Sequence, residues 1–141
     1  GQQGVSAMTA FHLKIVTPDG LFFDGDAFSL TVRTVAGDVG ILAGHLDLVT
    51  ALGMGRATVV TDQGTRYAAC IGGMLSVEKE LVTLVATTFE WAEDIDTARA
   101  QASYERAQKV LHSKNASQVE LKLAEARLKR ALVRRGVAAG Q

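Results

Sequence analysis

Cysteine is almost absent from the 141-residue chain. Cys70 stands alone, so an internal disulfide is impossible, as suits a reducing cytoplasm. Proline occurs once, at Pro18, and aromatic residues make up 6%. No apolar run approaches the ~18 residues that mark a membrane span. Neither sign of charge is in excess: Lys+Arg is 15 and Asp+Glu is 15. That balance argues against a nucleic-acid binder, which carries a basic footprint. The opening Gly1–Ala7 lacks the basic head and apolar core of a signal peptide. Residues 1–7 are expected to be a remnant preceding Met8, outside the fold.

The signatures of catalysis are missing too. His12, His45 and His112 are too scattered for a metal site. There is no G-x-S-x-G elbow and no phosphate loop ending in G-K-S/T. Gly53-Met54-Gly55 leads into a strand pattern, so it is no dinucleotide fingerprint. Cys70 lies in an apolar strand pattern and is expected in the core, not as a nucleophile. These absences argue against an enzyme.

What is present divides in two. Hydrophobic residues reach 48% and charged residues 21%, so the chain folds, as one domain or one domain with a small appendage. Of 14 glycines, none falls between 74 and 135. Residues 1–90 hold five Lys/Arg against nine Asp/Glu, a balance of −4; residues 91–141 hold ten against six, a balance of +4. The boundary is placed in 88–94, giving units of 8–90 and 91–141.

The first unit reads as strands. Phe11, Leu13 and Ile15 alternate with His12 and Lys14, and Leu30 and Val32 with Thr31 and Arg33. Pro18-Asp19-Gly20 is a turn. Two hairpins are predicted: 56–61 with 65–71 around Asp62-Gln63-Gly64, and 74–77 with 81–86 around Glu78-Lys79-Glu80. Short strands with frequent turns imply a sandwich or barrel. Three glycines within Gly37–Gly44 predict a tight loop with positive φ.

The second unit reads as two helices. The first runs from Ile95 to about Leu111, with Glu93, Asp94 and Asp96 at its dipole-positive start. Ser117-Gln118-Val119-Glu120 has the form of a capping box and opens the second. Leu121, Ala124, Leu128 and Leu132 mark one stripe and Val119, Leu123 and Ala126 a neighbouring one; Gly136 is the predicted stop. The short connection 112–116 makes the helices antiparallel neighbours. The fold class is therefore α+β: an N-terminal two-layer β-sandwich, then a C-terminal two-helix hairpin.

Arginines recur on both helices of that hairpin, and they converge if the two faces that carry them meet. Asp96, Arg99, Ala100 and Arg106 share a helical face, and Asp96 can pair with Arg99. Arg106, Arg130 and Arg134 have no acid three or four residues away. Clustered guanidinium groups call for an anion, and their fork geometry suits phosphate. Solvation of an exposed face accounts for the same pattern on periodicity alone.

Gly37-Asp38-Val39-Gly40-Ile41-Leu42-Ala43-Gly44-His45 resembles the G-x-x-G-I-L-P-x-H loop of the epsilon subunits of F-type ATP synthases. The opening Phe11–Gly20 and the Ile71–Leu75 stretch resemble further elements of that family. Ala43 and Leu46-Asp47 depart from it and are expected to soften the loop. Ile95-Asp96-Thr97-Ala98-Arg99-Ala100 resembles the Ile/Leu-Asp-x-x-Arg-Ala motif through which some bacterial members bind ATP.

The resemblance implies a non-catalytic rotor-stalk subunit that couples proton (or sodium) flow to ATP synthesis. It implies partners in the gamma subunit and the c-subunit ring, and in the alpha/beta head when the hairpin extends. It implies a peripheral place on the cytoplasmic face of the bacterial plasma membrane. It further implies ATP, with or without Mg²⁺, as a regulatory ligand that limits inhibition of hydrolysis by the hairpin. The nucleotide residues it implies are Glu90, Ile95, Asp96, Arg99, Ala100, Arg106, Arg130 and Arg134. Ala100 is expected to leave room for a flat base and Glu90 to accept from an exocyclic amine. The implied subunit interface includes Gly40, Ile41, Leu42 and His45. The alternative is a free-standing small-ligand binding module with the hairpin as a lid.

Overall fold

Alternating apolar residues bury one face of each strand. In β1 (Phe11–Thr17), Phe11, Leu13 and Ile15 point inward while His12 is exposed. The structure, a computed structural model, describes residues 9–140, so the expected remnant at 1–7 lies outside the described residues. Seven further strands follow: β2 (Gly20–Ala27), β3 (Ser29–Thr34), β4 (Gly37–Leu42), β5 (Leu48–Ala51), β6 (Met54–Thr61), β7 (Gly64–Glu78) and β8 (Leu81–Trp91). They are hydrogen-bonded in the order β2-β1-β8-β7-β6-β3-β4, with β5 on β7. All pairs with a defined register are antiparallel except β1 with β8, which is parallel. Leu13, Ile15, Leu30, Ile41, Leu75 and Leu84 fill the middle of this sandwich.

Both predicted hairpins form, but 65–71 and 74–77 are one strand. Gly72 and Gly73 have φ of 69° and 116°, so they redirect β7 without ending it. Its first half pairs with β6 and its second with β5. The expected loop at 37–45 is also corrected. Residues 37–42 are β4, paired in register with β3, including Gly40 with Thr31 and Ile41 with Leu30. Only Gly37 and Gly44 have positive φ there. The turn before β4 is built by Thr34, whose hydroxyl donates to the Gly37 carbonyl at 2.7 Å and accepts from the Ala36 N–H. Strands β2 and β5 escaped the sequence reading because neither shows clean alternation; most of β2 is exposed.

Cys70 is buried as expected, and burial pushes its thiol up to about 12. It is therefore a protonated thiol in a packed wall, not a nucleophile.

The second compact unit begins at Glu90. A 3₁₀ turn (Ala92–Asp94) leads to α1 (Thr97–Leu111) and α2 (Gln118–Ala138). α1 starts two residues later than predicted, because Asp96 caps it and Ile95 stays extended. The predicted leucine stripe is corrected as well: Val119, Leu123 and Leu132 are exposed. The buried positions are Ala100 and Ala107 on α1 and Ala124 and Ala131 on α2, each pair seven residues apart. Rows of alanine let two helix axes approach closely, and leucines then fall to the flanks. Gly136 lies inside α2. The helix runs on because Val137 is buried, and the turn with positive φ comes at Gly140, whose N–H reaches the Val137 carbonyl.

The capping box at the start of α2 is present. The Ser117 hydroxyl accepts from the Glu120 N–H at 3.1 Å, and the Glu120 carboxylate accepts from the Ser117 N–H at 3.0 Å. The Ser117 N–H, and then its hydroxyl, hold the Glu120 carboxyl below its usual value of 4.5. A carboxyl depressed in the folded state contributes stability above its unfolded pKa and loses it as pH falls through the folded one. Ser117→Ala is expected to cost about 1 kcal/mol of hairpin stability at neutral pH. Glu120→Gln should remove part of the loss on acidification below about pH 4.5. Thermal melts followed by helical circular dichroism at neutral pH and in acid check both.

Candidate functional site

The arginines gather on one flank of the hairpin. Arg99 and Arg106 each precede a buried alanine of α1, and Arg130 precedes buried Ala131 of α2. In an antiparallel pair the residue before the facing position points to the same side on both helices. Arg134, three residues after Ala131, lies on that side too, as does Arg127, four before it. The opposite flank is marked by Tyr104 and Arg135, each four residues past a buried alanine. Their contact, with the Arg135 guanidinium 4.5 Å from the Tyr104 ring centre, fits alanine rows that face each other.

Among the described residues, no carboxylate pairs with the side chain of Arg99, Arg106, Arg127 or Arg130. Arg134 differs from the sequence expectation. Its Nε donates to Glu90 Oε1 at 2.6 Å, an acid 44 positions away that no helical spacing reveals. Glu90 is thus engaged and not a free acceptor. Asp96 also departs from its expected role. Its Oδ1 accepts from the backbone N–H of Arg99 at 2.9 Å, capping α1. The Arg99 side chain is left exposed. Ile95 and Ala100 are buried, so Ala100 presents no open surface for a base in this state. Arg127 was missed by the sequence reading, although its spacing of three and seven from Arg130 and Arg134 gives it the same flank.

The second candidate region lies in the sandwich. Gly40, Leu42 and His45 are at least partly accessible, whereas Ile41 is fully buried. The Ile41 side chain therefore belongs to the core, because inward positions alternate along β4. Leu42, Leu46 and Val49 are 62%, 83% and 69% exposed, an apolar set within eight residues. Asp47 is tied to the neighbouring turn: its Oδ1 accepts from the Lys79 N–H at 2.9 Å. Lys79 itself has a φ of 57°, so the carboxylate ties down a strained turn. Among the described residues, no group of three or more His, Cys, Asp or Glu side chains is placed to hold a metal. No helix among them is long and apolar enough to cross a membrane.

Comparison with known proteins agrees on one family. Residues 10–92 match the family described as ATP synthase, delta/epsilon chain, beta-sandwich domain. Residues 93–138 match ATP synthase, delta/epsilon chain, long alpha-helix domain. The chain is 40% identical to the ATP synthase epsilon chain of Ruminococcus albus, covering 93% of this chain and 98% of that one. It is 40% identical to the epsilon chain of Bacillus velezensis, with the same coverage. Among solved structures, a chain of the Euglena gracilis mitochondrial ATP synthase (OSCP/F1/c-ring) superposes with a TM-score of 0.80 at 22% identity. That match covers 94% of this chain and 82% of that one. A chain of the Tetrahymena thermophila mitochondrial ATP synthase central stalk and c-ring gives 0.64 at 11% identity, covering 90% and 95%. At these identities the structural matches establish the fold alone.

Proposed function

The chain belongs to the ATP synthase epsilon-chain family, a non-catalytic stalk subunit, and from that premise we propose how its two units work. The sandwich, taken as 8–90, docks on the gamma subunit and the c ring. The hairpin, taken as 91–141, folds down or extends towards the alpha/beta head, where it hinders ATP hydrolysis. ATP binds the folded-down hairpin and favours it. The subunit couples proton or sodium flow to synthesis elsewhere, on the cytoplasmic face of the bacterial plasma membrane.

One observation carries the nucleotide part: Arg99, Arg106, Arg127 and Arg130 line one flank with no carboxylate among the described residues to neutralise them. A triphosphate supplies that charge through charge-assisted hydrogen bonds. Mg²⁺ would be held by the phosphates themselves, as it commonly is, since the protein groups on this flank are cationic. Extending the hairpin separates the helices and takes the arginines apart. ATP therefore has different affinity for the two states, which is what lets a ligand shift them.

For docking, the support is the exposed apolar set Leu42, Leu46 and Val49 beside Gly40 and His45. Leu46→Asp places a charge in that surface without touching the core. It is expected to weaken assembly with gamma and the c ring roughly three- to tenfold, as loss of an apolar interface contact does. Co-purification of reconstituted subunits at graded concentration measures it. Unchanged assembly moves the docking surface elsewhere.

A further inference from the structure

Arg134 and Arg135 are consecutive, yet they reach opposite flanks of the hairpin. Arg134 Nε meets Glu90 Oε1 at 2.6 Å on one side, and Arg135 covers the Tyr104 ring at 4.5 Å on the other. Tyr104 is itself held, since its hydroxyl accepts from Gln108 Nε2 at 2.9 Å. Both ties start from the last turns of α2, far from the 112–117 connection. One reaches Glu90 at the end of β8, just ahead of α1, and the other reaches Tyr104 at the middle of α1. Along the rest of its length the buried row is alanine, which offers little area and no directional bond. We propose that the arginine pair is a clasp that holds the hairpin closed without any ligand, with Glu90–Arg134 as its salt-sensitive arm.

The Glu90 and Arg134 side chains keep 33% and 26% of their surface exposed. That is open enough for mobile ions to weaken their attraction and closed enough for the pair to count. The Tyr104–Arg135 arm responds less to salt because much of its contact is ring against guanidinium plane. The clasp also bears on nucleotide binding. A phosphate that takes the Arg134 Nε–H must displace Glu90, so one tie replaces another and the hairpin stays shut. The inference rests on the reading above that the hairpin opens, but it needs no nucleotide.

Amide hydrogen exchange of the full chain without nucleotide tests it, at about 20 mM and about 500 mM NaCl, where screening lengths differ several-fold. Exchange across 131–138 in the unaltered protein should quicken roughly three- to tenfold at the higher salt, as loss of a partly exposed ion pair implies. Glu90→Gln and Arg134→Gln should each be fast at both salt concentrations. The charge-swapped pair Glu90→Arg with Arg134→Glu should restore slow exchange and its salt response. Single variants that exchange like the unaltered protein overturn the clasp, and so does a swapped pair as fast as the singles. If a variant also exchanges quickly throughout the strands, it has unfolded globally. The salt series on the unaltered protein then decides, and no response at 131–138 refutes the proposal. Calorimetry with ATP tests the nucleotide reading separately, and a null result there leaves this outcome untouched.

Discussion

Gly73→Ala should destabilise the sandwich by about 3–5 kcal/mol, at the upper end of what single substitutions do. A Cβ at Gly73 would sit 1.9 Å from the Val85 carbonyl oxygen and 2.9 Å from the Ala86 Cα. Both are backbone atoms of β8, so no side chain can swing away. The residue also has a φ of 116°, which L side chains rarely adopt. Gly64 separates the two causes. Its φ is also 116°, but nothing lies within 4 Å of its Cβ position. Gly64→Ala therefore meets only the backbone strain, about 1–2 kcal/mol. For a unit of this size each kcal/mol moves the melting midpoint by roughly 4–8 °C. The difference between the variants, about 1–4 kcal/mol, is expected to be roughly 4–30 °C by the same scaling. Equal midpoints would show that β8 yields locally, and that the close approach of the two strands is not what fixes β7.

The same glycines explain what the sequence revealed and what it hid. Alternation in Phe11–Ile15 and Leu30–Val32 exposes β1 and β3 because each buries one face. Gly72-Gly73 reads as punctuation, yet tertiary pairing carries β7 straight through it, since β5 and β6 need one continuous template. β4 hid for the opposite reason: Gly37, Gly40 and Gly44 look like a loop until β3 is there to pair with them. Helix ends followed local rules where a side chain does the capping, as at Asp96 and Ser117. They failed at Gly136, where burial of Val137 outweighs the cost of a helical glycine, about 1 kcal/mol.

The candidate site was legible in its residue types and only partly in its connections. Helical spacing places Arg99 near Arg106 on α1 and Arg130 near Arg134 on α2, because the period of a helix is local information. That the two sets share a flank follows only from the facing alanine rows. It cannot show that Glu90 neutralises Arg134, because that pair spans 44 positions. Nor can it separate two uses of the Asp96 carboxylate, pairing with the Arg99 guanidinium or capping through the Arg99 N–H. The structure has the second. The alanine rows also reassign Ala100, from a place that admits a base to a place that admits the other helix.

These assignments sharpen the test of the nucleotide reading. Arg99→Ala and Arg130→Ala should each weaken ATP binding roughly ten- to a hundredfold. That is the effect of losing one hydrogen bond to a charged group, ~1.5–3 kcal/mol. Both substitutions are clean. Asp96 caps α1 through the Arg99 backbone N–H, which alanine keeps, and Arg130 has no carboxylate partner among the described residues. Hairpin stability without nucleotide should therefore stay close to that of the unaltered protein. Lys122→Ala supplies the control, since Lys122 is exposed and two residues before buried Ala124, on the far side from the arginine flank. It removes one positive charge of the same helix, so a general loss of attraction for the anion would appear there equally. Saturating ATP should also stabilise the closed hairpin, by about 2.7 kcal/mol at a hundred times the dissociation constant. Both arginine variants should lose about half of that gain or more at the same concentration. Calorimetric titration and melts with and without ATP measure the two effects independently. If ATP binds the unaltered protein and neither arginine matters, the nucleotide sits elsewhere. If millimolar ATP produces no binding at all, the flank is a solvated surface and the hairpin is governed without nucleotide.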